Sequence, residues 1–357
     1  MKHILVRNVN EALFVGVRMM LNERMNIRNI APRGGEETLE YVGPVCTTYT
    51  NPLERVLFEP IRDANPFFHL MESLWIIEGR SDVAWLGRFN KQMEKYSDDG
   101  VRFHAAYGNR LRHSNGDQIS RVIELLKKEP YTRRAALQIW DAGRDLGSNS
   151  LDLPCNTMLF LKIRDDKLHL TVSCRSNDMV WGAYGANAVQ FSVLLEYIAA
   201  MVGVEVGQYR QISDSYHVYT SNPQWPLLAD AYGSDLHSKD CDWYVFPKEQ
   251  KVVECTGSNG IQLFPLVTYK DEWDNELHSF IRMTDRDYYD YTIIPQGFAD
   301  PFFSDVAAPM YNAWMTYKNC RAGSVNISPA IDLAYTIAAD DWRIACVNWL
   351  RRREDKV

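Results

Sequence analysis

The chain lacks any excess of positive charge: 39 lysines and arginines stand against 46 aspartates and glutamates, a net charge of −7 over 357 residues. A duplex nucleic acid requires a clustered basic surface, so direct nucleic-acid binding is not expected. No run approaching the roughly 18–20 apolar residues of a membrane span is read in the sequence, and no membrane partner is expected. The opening MKHILVRNVNEALF turns polar too soon for a signal peptide. The seven cysteines are odd in number, scattered and without CxxC spacing. That argues against a disulfide framework and a zinc site, and for a reducing cytoplasm, the host's if the source is viral. No metal is expected. Internal repeats and low-complexity linkers are also missing.

What is present suits one large globular domain or two modest ones, with 46% hydrophobic and 24% charged residues. Helices are predicted over 11–23 and 66–90, the latter through FFHLMESLWIIEG, apolar on more than one face and carrying Glu72. QISRVIELLKK (118–128) is a helix stopped by Pro130, and AVQFSVLLEYIAAMV (188–202) one ended by Gly203. RRAALQIW (133–140) and QYRQISDSYHVY (208–219) are strand-like, and 156–164 with 167–175 form a hairpin around Asp165-Asp166. Beyond Pro223 the texture changes: 224–262 is loop-heavy, and 272–283 and 305–353 are helical again. The predicted division is a catalytic core over 1–222 and a C-terminal region, 223–357, packed on it.

Several polar residues carry chemistry. Cys155 in LDLPCNT is a nucleophile only if cations lower its pKa; alone, it reads better as an inert core thiol. Arg175-Ser176 and Arg133-Arg134 suit phosphate, since a guanidinium fork matches two phosphate oxygens, although ordinary surface charge is the bland reading for any one of them. Arg33 sits in the glycine-rich turn APRGGEE. His217 and Tyr219 share a strand face and suit a sugar hydroxyl, or simple packing. Asn187 either caps a helix or reads a pyrimidine edge with one donor and one acceptor. Glu72 in an apolar helix is the sharper anomaly, because a buried carboxyl needs a partner or a raised pKa.

Taken together, these residues resemble the thymidylate synthase and pyrimidine hydroxymethylase superfamily over about residues 10–222. HLMESLWIIEG resembles the segment with the catalytic glutamate, here Glu72, and AAYGNRLR the block with the active-site tyrosine, Tyr107. EPYTRRAALQIWD resembles the pair that crosses a dimer interface, Arg133 and Arg134; LPCNT holds the nucleophile; CRSND the phosphate and folate residues; SYHVY the sugar pair. The steps from Cys155 to Arg175 and from Asn187 to His217 match the family pattern. The resemblance implies an α+β fold, a large mixed β-sheet flanked by helices, dimerising through the sheet face. It implies that Cys155 adds to C6 of a pyrimidine deoxynucleotide, whose C5 takes a carbon from 5,10-methylenetetrahydrofolate. Glu72 and Tyr107 would manage protons. Arg33, Arg175, Ser176 and the partner copy's Arg133 and Arg134 would hold phosphate. Asp178 would bind the pterin, and His217 with Tyr219 the deoxyribose.

The chain departs from the synthase pattern in four places. Asn156 follows the nucleophile where the family usually has histidine, and AYGA before Asn187 is one residue longer. NKQMEKYSDD brings no tryptophan after the glutamate helix, and the ending WLRRREDKV is not an apolar tail. A wetter lid is what hydroxymethylation needs, and the long 223–357 region resembles the viral hydroxymethylase branch. Trp243 and Trp314 are candidates to close the site. The expected reaction is dUMP hydroxymethylation in a homodimer; dUMP methylation and dCMP hydroxymethylation are the alternatives. A papain-like hydrolase using Cys155, His217 and Asn187, and a non-catalytic nucleotide- or RNA-binding module, are the competing classes.

Overall fold

The structure, a computed structural model, describes residues 1–22, 26–30, 36–233, 244, 260–285, 295–323 and 326–354. Arg33 and Trp243 lie outside the described residues. Two compact units emerge: Met1–Ala64 with His104–Trp243, and Asn65–Phe103 with Tyr244–Val357.

The first unit holds the sheet. Its strands are β1 (Lys2–Val6), β2 (Asn26–Ile30), β3 (Glu37–Tyr41), β4 (Val45–Tyr49), β5 (Ala136–Gln138), β6 (Asn156–Arg164), β7 (Lys167–Asp178) and β8 (Glu205–Tyr219). The order is β1-β4-β8-β7-β6-β5, with β3 also on β8 and β2 on β3. β1 with β4 and β7 with β8 run parallel, and the remaining pairs antiparallel, the mixed sheet expected of an α+β fold. β8 forks along one edge: Tyr209 to Ser213 face β4, and His217 to Tyr219 face β3.

β6 and β7 form the predicted hairpin, with Asp165 and Asp166 at φ +51 and +55. A tight turn matching the strand twist needs left-handed φ at both central residues, and aspartate tolerates it better than most. β7 extends three residues past its predicted end, to Asp178, because it pairs with β8 up to His217. β5 is much shorter than predicted, so Arg133 and Arg134 precede it.

Helix Asn187–Val202 packs on β7 and β8 and is closed by Gly203 at φ +92. With the turn before it, the stretch Met179–Val202 is long and apolar enough to cross a membrane by length and composition. That corrects the expectation that no such run exists. Its most apolar window is 78% buried inside the protein, the pattern of a core helix apolar on all sides.

The second unit, as described, is helical. All twelve residues of helix Pro66–Ile77 are buried, Glu72 included. Asn65 caps it through the Phe68 amide, and Pro66 occupies the first turn, where a missing N–H costs nothing. The helix predicted to reach residue 90 stops early, because Gly79 turns left-handed at φ +82; Asp82 then caps a separate helix, Val83–Gly87. Trp314 does not stand free to close a site. Its ring lies 5.5–5.7 Å from those of Phe67, Tyr317 and Trp349, and its indole donates to the Arg88 carbonyl at 3.0 Å.

Candidate active site

Strand pairing, not sequence proximity, brings the Cys155 thiol its cation. Asn156 lies opposite Cys174 in the β6–β7 ladder, and the Arg175 amide donates to the Cys155 carbonyl at 2.8 Å. The Arg175 guanidinium is pinned by the carbonyls of Pro154 (2.9 Å) and Leu153 (3.2 Å), over the Trp140 ring at 5.5 Å. That places Nη2 at 4.0 Å from the Cys155 sulfur. Burial pushes the thiol up; Arg175 opposes this and Asp152 adds to it, with a net rise. The resting thiol is therefore protonated near neutral pH, and its reactive form is a minority species.

His217 does not complete a thiol–imidazole pair among the described residues. It sits 5.3 Å from Tyr219, edge to face, with Nδ1 at 3.4 Å from the Ser215 hydroxyl and carbonyl. Across the parallel ladder its partner is Asp178, and Ser176 pairs with Ser215. Ser176, Asp178 and His217 thus cluster at the β7–β8 end. A papain-like arrangement finds no support in this geometry.

The Asn187 side chain is not a helix cap; Ala186 occupies that place without a side-chain bond. Instead it lies inside a line of amides. Asn156 Nδ2 donates to the Tyr107 hydroxyl (3.1 Å) and to Asn187 Oδ1 (3.3 Å). Asn187 Nδ2 donates to Asn177 Oδ1 (3.2 Å), and Asn177 Nδ2 to Ser213 Oγ (3.0 Å). Asn156, Asn177 and Asn187 are 0%, 2% and 7% exposed, so these bonds are made away from water. Gly182 permits the line to pass: a Cβ there would meet Asn177 Oδ1 at 2.5 Å. The predicted Tyr107, Cys155 and Asn187 therefore join one cluster through Asn156, one of the places at which the sequence departs from the synthase pattern it resembles.

Asp178 accepts from the Trp181 amide at 2.6 Å through one oxygen. Its other oxygen is buried and accepts nothing among the described residues. Burial raises its pKa, against the Trp181 amide, His217 and Arg62. Arg62 carries no signal of a role in the sequence reading. It is 2% exposed, stacks 4.4 Å over Trp181 and donates through Nε to the Val180 carbonyl at 2.6 Å. Burial lowers its pKa to about 10, partly offset by Asp178 and Asp63. Gly185 makes room for it, since a Cβ there would come within 2.9 Å of Nη2. Its position in the largely apolar LFEPIRDANPFF is the one clue that could have found it. Asn177, Ser213 and Arg62 are the site residues to which sequence reasoning gives no role.

Arg133 and Arg134 are exposed, and Arg134 pairs with Glu129 at 2.6 and 2.8 Å. Neither bonds the Cys155 cluster among the described residues. Glu72 belongs to the second unit.

Comparison with known proteins matches the family described as thymidylate synthase to residues 58–228. The chain is 42% identical to a deoxyuridylate hydroxymethyltransferase of Pseudomonas phage M6, over 99% of this chain and 95% of that protein. It is also 42% identical to one from Bacillus phage SP01, over 59% of this chain and 58% of that protein. Among solved structures, thermostable thymidylate synthase A from Bacillus subtilis shares the fold, with a TM-score of 0.51 and 24% identity over 62% of this chain and 84% of that one.

Proposed function

The chain belongs to the thymidylate synthase family, and from that premise we propose that it transfers one carbon to C5 of dUMP and releases the hydroxymethyl product. The observation that carries this reading is the Cys155 thiol held beside Arg175 and linked, through Asn156, to a buried amide able to read a base edge. Near full-length similarity to a deoxyuridylate hydroxymethyltransferase supports hydroxymethyl over methyl.

The Cys155 thiolate adds to C6 of the pyrimidine, and the displaced electron pair makes C5 nucleophilic. A folate co-substrate, 5,10-methylenetetrahydrofolate, supplies the carbon when bound. The unpartnered Asp178 oxygen suits the N–H edge of its pterin. Tyr107, whose hydroxyl burial keeps protonated, and Glu72, by family resemblance, take the proton from C5 and supply one to the folate nitrogen as its bond to the transferred carbon breaks. Tetrahydrofolate then leaves, and an exocyclic methylene remains on C5. Water then adds to the exocyclic methylene, and Cys155 leaves C6 with restoration of the double bond. Arg175 and Ser176, with Arg33 and the second copy's Arg133 and Arg134 in a homodimer, hold the phosphate; His217 and Tyr219 hold the deoxyribose hydroxyl.

Incubation with 5-[³H]-dUMP and methylenetetrahydrofolate is expected to release tritium and yield 5-hydroxymethyl-dUMP with tetrahydrofolate. Formation of dTMP and dihydrofolate alone would assign methylation instead. No tritium release would remove the C6-addition chemistry.

A further inference from the structure

We propose that Asn156 and Asn177 together lock Asn187 in its uracil-reading orientation, so that base selectivity belongs to three amides and not to one. This rests on the reading of Asn187 as the base contact. An isolated asparagine cannot tell uracil from cytosine. Turning its amide by half a revolution exchanges donor for acceptor, and uracil's N3–H and O4 differ from cytosine's N3 and N4–H₂ by that same exchange. Selectivity needs something that opposes the turn.

The amide line supplies it. Asn187 Oδ1 already accepts from Asn156, and Asn187 Nδ2 already donates to Asn177. Each half keeps one further bonding position: a lone pair for N3–H and a hydrogen for O4. If Asn187 alone turned, its amino group would face the Asn156 amino group, and its oxygen would face the Asn177 oxygen. Both contacts are repulsive and shielded from water. Only a concerted turn of all three amides escapes them, since the Tyr107 and Ser213 hydroxyls at the ends serve either direction. That turn has its own cost. As placed, Asn156 spends both amino hydrogens, on Tyr107 and Asn187, and leaves only its oxygen unpartnered. The reversed line would strand a two-hydrogen donor at a position 0% exposed, and buried orphan donors are the rarer and costlier kind. Asn156 and Asn177 are positioning residues; they act on the base through Asn187.

The same chemical change on the two sides of Asn187 is therefore expected to act in opposite directions. In Asn156→Asp the ionised carboxylate can only accept, so Asn187 is drawn round. The dCMP-to-dUMP ratio of kcat/KM should rise about tenfold, within the range of coupling between directly bonded groups. The rise should grow with pH, because the carboxyl of that variant still donates while it is protonated. In Asn177→Asp the carboxylate accepts from Asn187 Nδ2 as before, and the ratio should stay at or fall below wild type. Should Asn156→Asp fail to fold, Asn156→Ser removes the fixed donor, and its ratio should also rise. Shifts of the same sign in Asn156→Asp and Asn177→Asp, or an unchanged ratio in every folded Asn156 variant, would overturn the lock while leaving the enzyme reading intact. Wild-type protein that releases tritium from neither nucleotide would remove both.

Discussion

Cys155→Ala is expected to lower tritium release from 5-[³H]-dUMP by at least about four orders of magnitude, the scale on which loss of a covalent nucleophile acts. Binding of dUMP, followed by calorimetry, should survive, because the proposed phosphate and base contacts lie on Arg175, Ser176 and Asn187 and not on the sulfur. The acid–base state of the thiol adds a second expectation. Burial holds Cys155 above the ordinary thiol range, and Arg175 only partly offsets this. Wild-type kcat/KM should therefore climb with pH above neutrality, about tenfold per unit, until the thiol titrates. Arg175→Met should push the thiol higher still and displace that limb to more alkaline pH. A Cys155→Ala enzyme that keeps releasing tritium would exclude addition of this thiol to C6.

Asp145→Ala is expected to destabilise the first unit by about 3–5 kcal/mol, the cost of leaving one half of a buried ion pair behind. Asp145 is 1% exposed and takes bonds from Arg110 Nη1 (2.6 Å), Arg110 Nη2 (2.8 Å), the Asp141 amide (2.8 Å) and His104 Nε2 (2.9 Å). Arg110 also donates to the carbonyls of Ile139 and His104. Because Arg110 lies on the short helix Tyr107–Arg112, the same cluster fixes the helix that carries the site tyrosine. Burial alone would raise the carboxyl, but the Arg110, Asp141 and His104 bonds hold it at about 2 against an ordinary 3.8. Its folded pKa is depressed, so its contribution is complete above about pH 4 and is lost as pH falls toward 2. Denaturant midpoints should show the gap between wild type and Asp145→Asn shrinking over that interval. A gap that stays constant from about pH 7 to about pH 2.5 would contradict this account.

The legible parts of the chain are those governed by local patterning. Helix Gln118–Lys128 keeps its sequence-predicted bounds to the residue, since its buried Ile119, Val122, Ile123 and Leu126 follow helical spacing and Asp117 caps it. The β6–β7 turn is readable from two adjacent aspartates between alternating runs. Gly79's left-handed stop is local too, with its amide on the Ile76 carbonyl and the Arg80 amide on that of Trp75, and a helix-ending glycine is a signal the sequence does carry. Hidden is the forked pairing of β8, because it depends on what lies across the fold. Residues 65–103 group with residues beyond 244, a pairing of distant segments that no local signal records.

The site divides along the same line. The sequence by itself determined the chemical inventory: a thiol, an arginine-serine pair, an amide at 187 and a His-x-Tyr pair at fixed steps along the chain. Spacing can do this because a strand's two-residue period and a hairpin's register convert steps along the chain into positions in space. Only the tertiary structure decided which groups touch. It set Arg175 at 4.0 Å from the thiol, gave His217 to Asp178's end of the sheet, and joined Tyr107, Asn156, Asn187 and Asn177 across two helices and two strands. Hydrogen bonds between residues 10 to 49 positions apart depend on packing, and packing is a property of the whole unit.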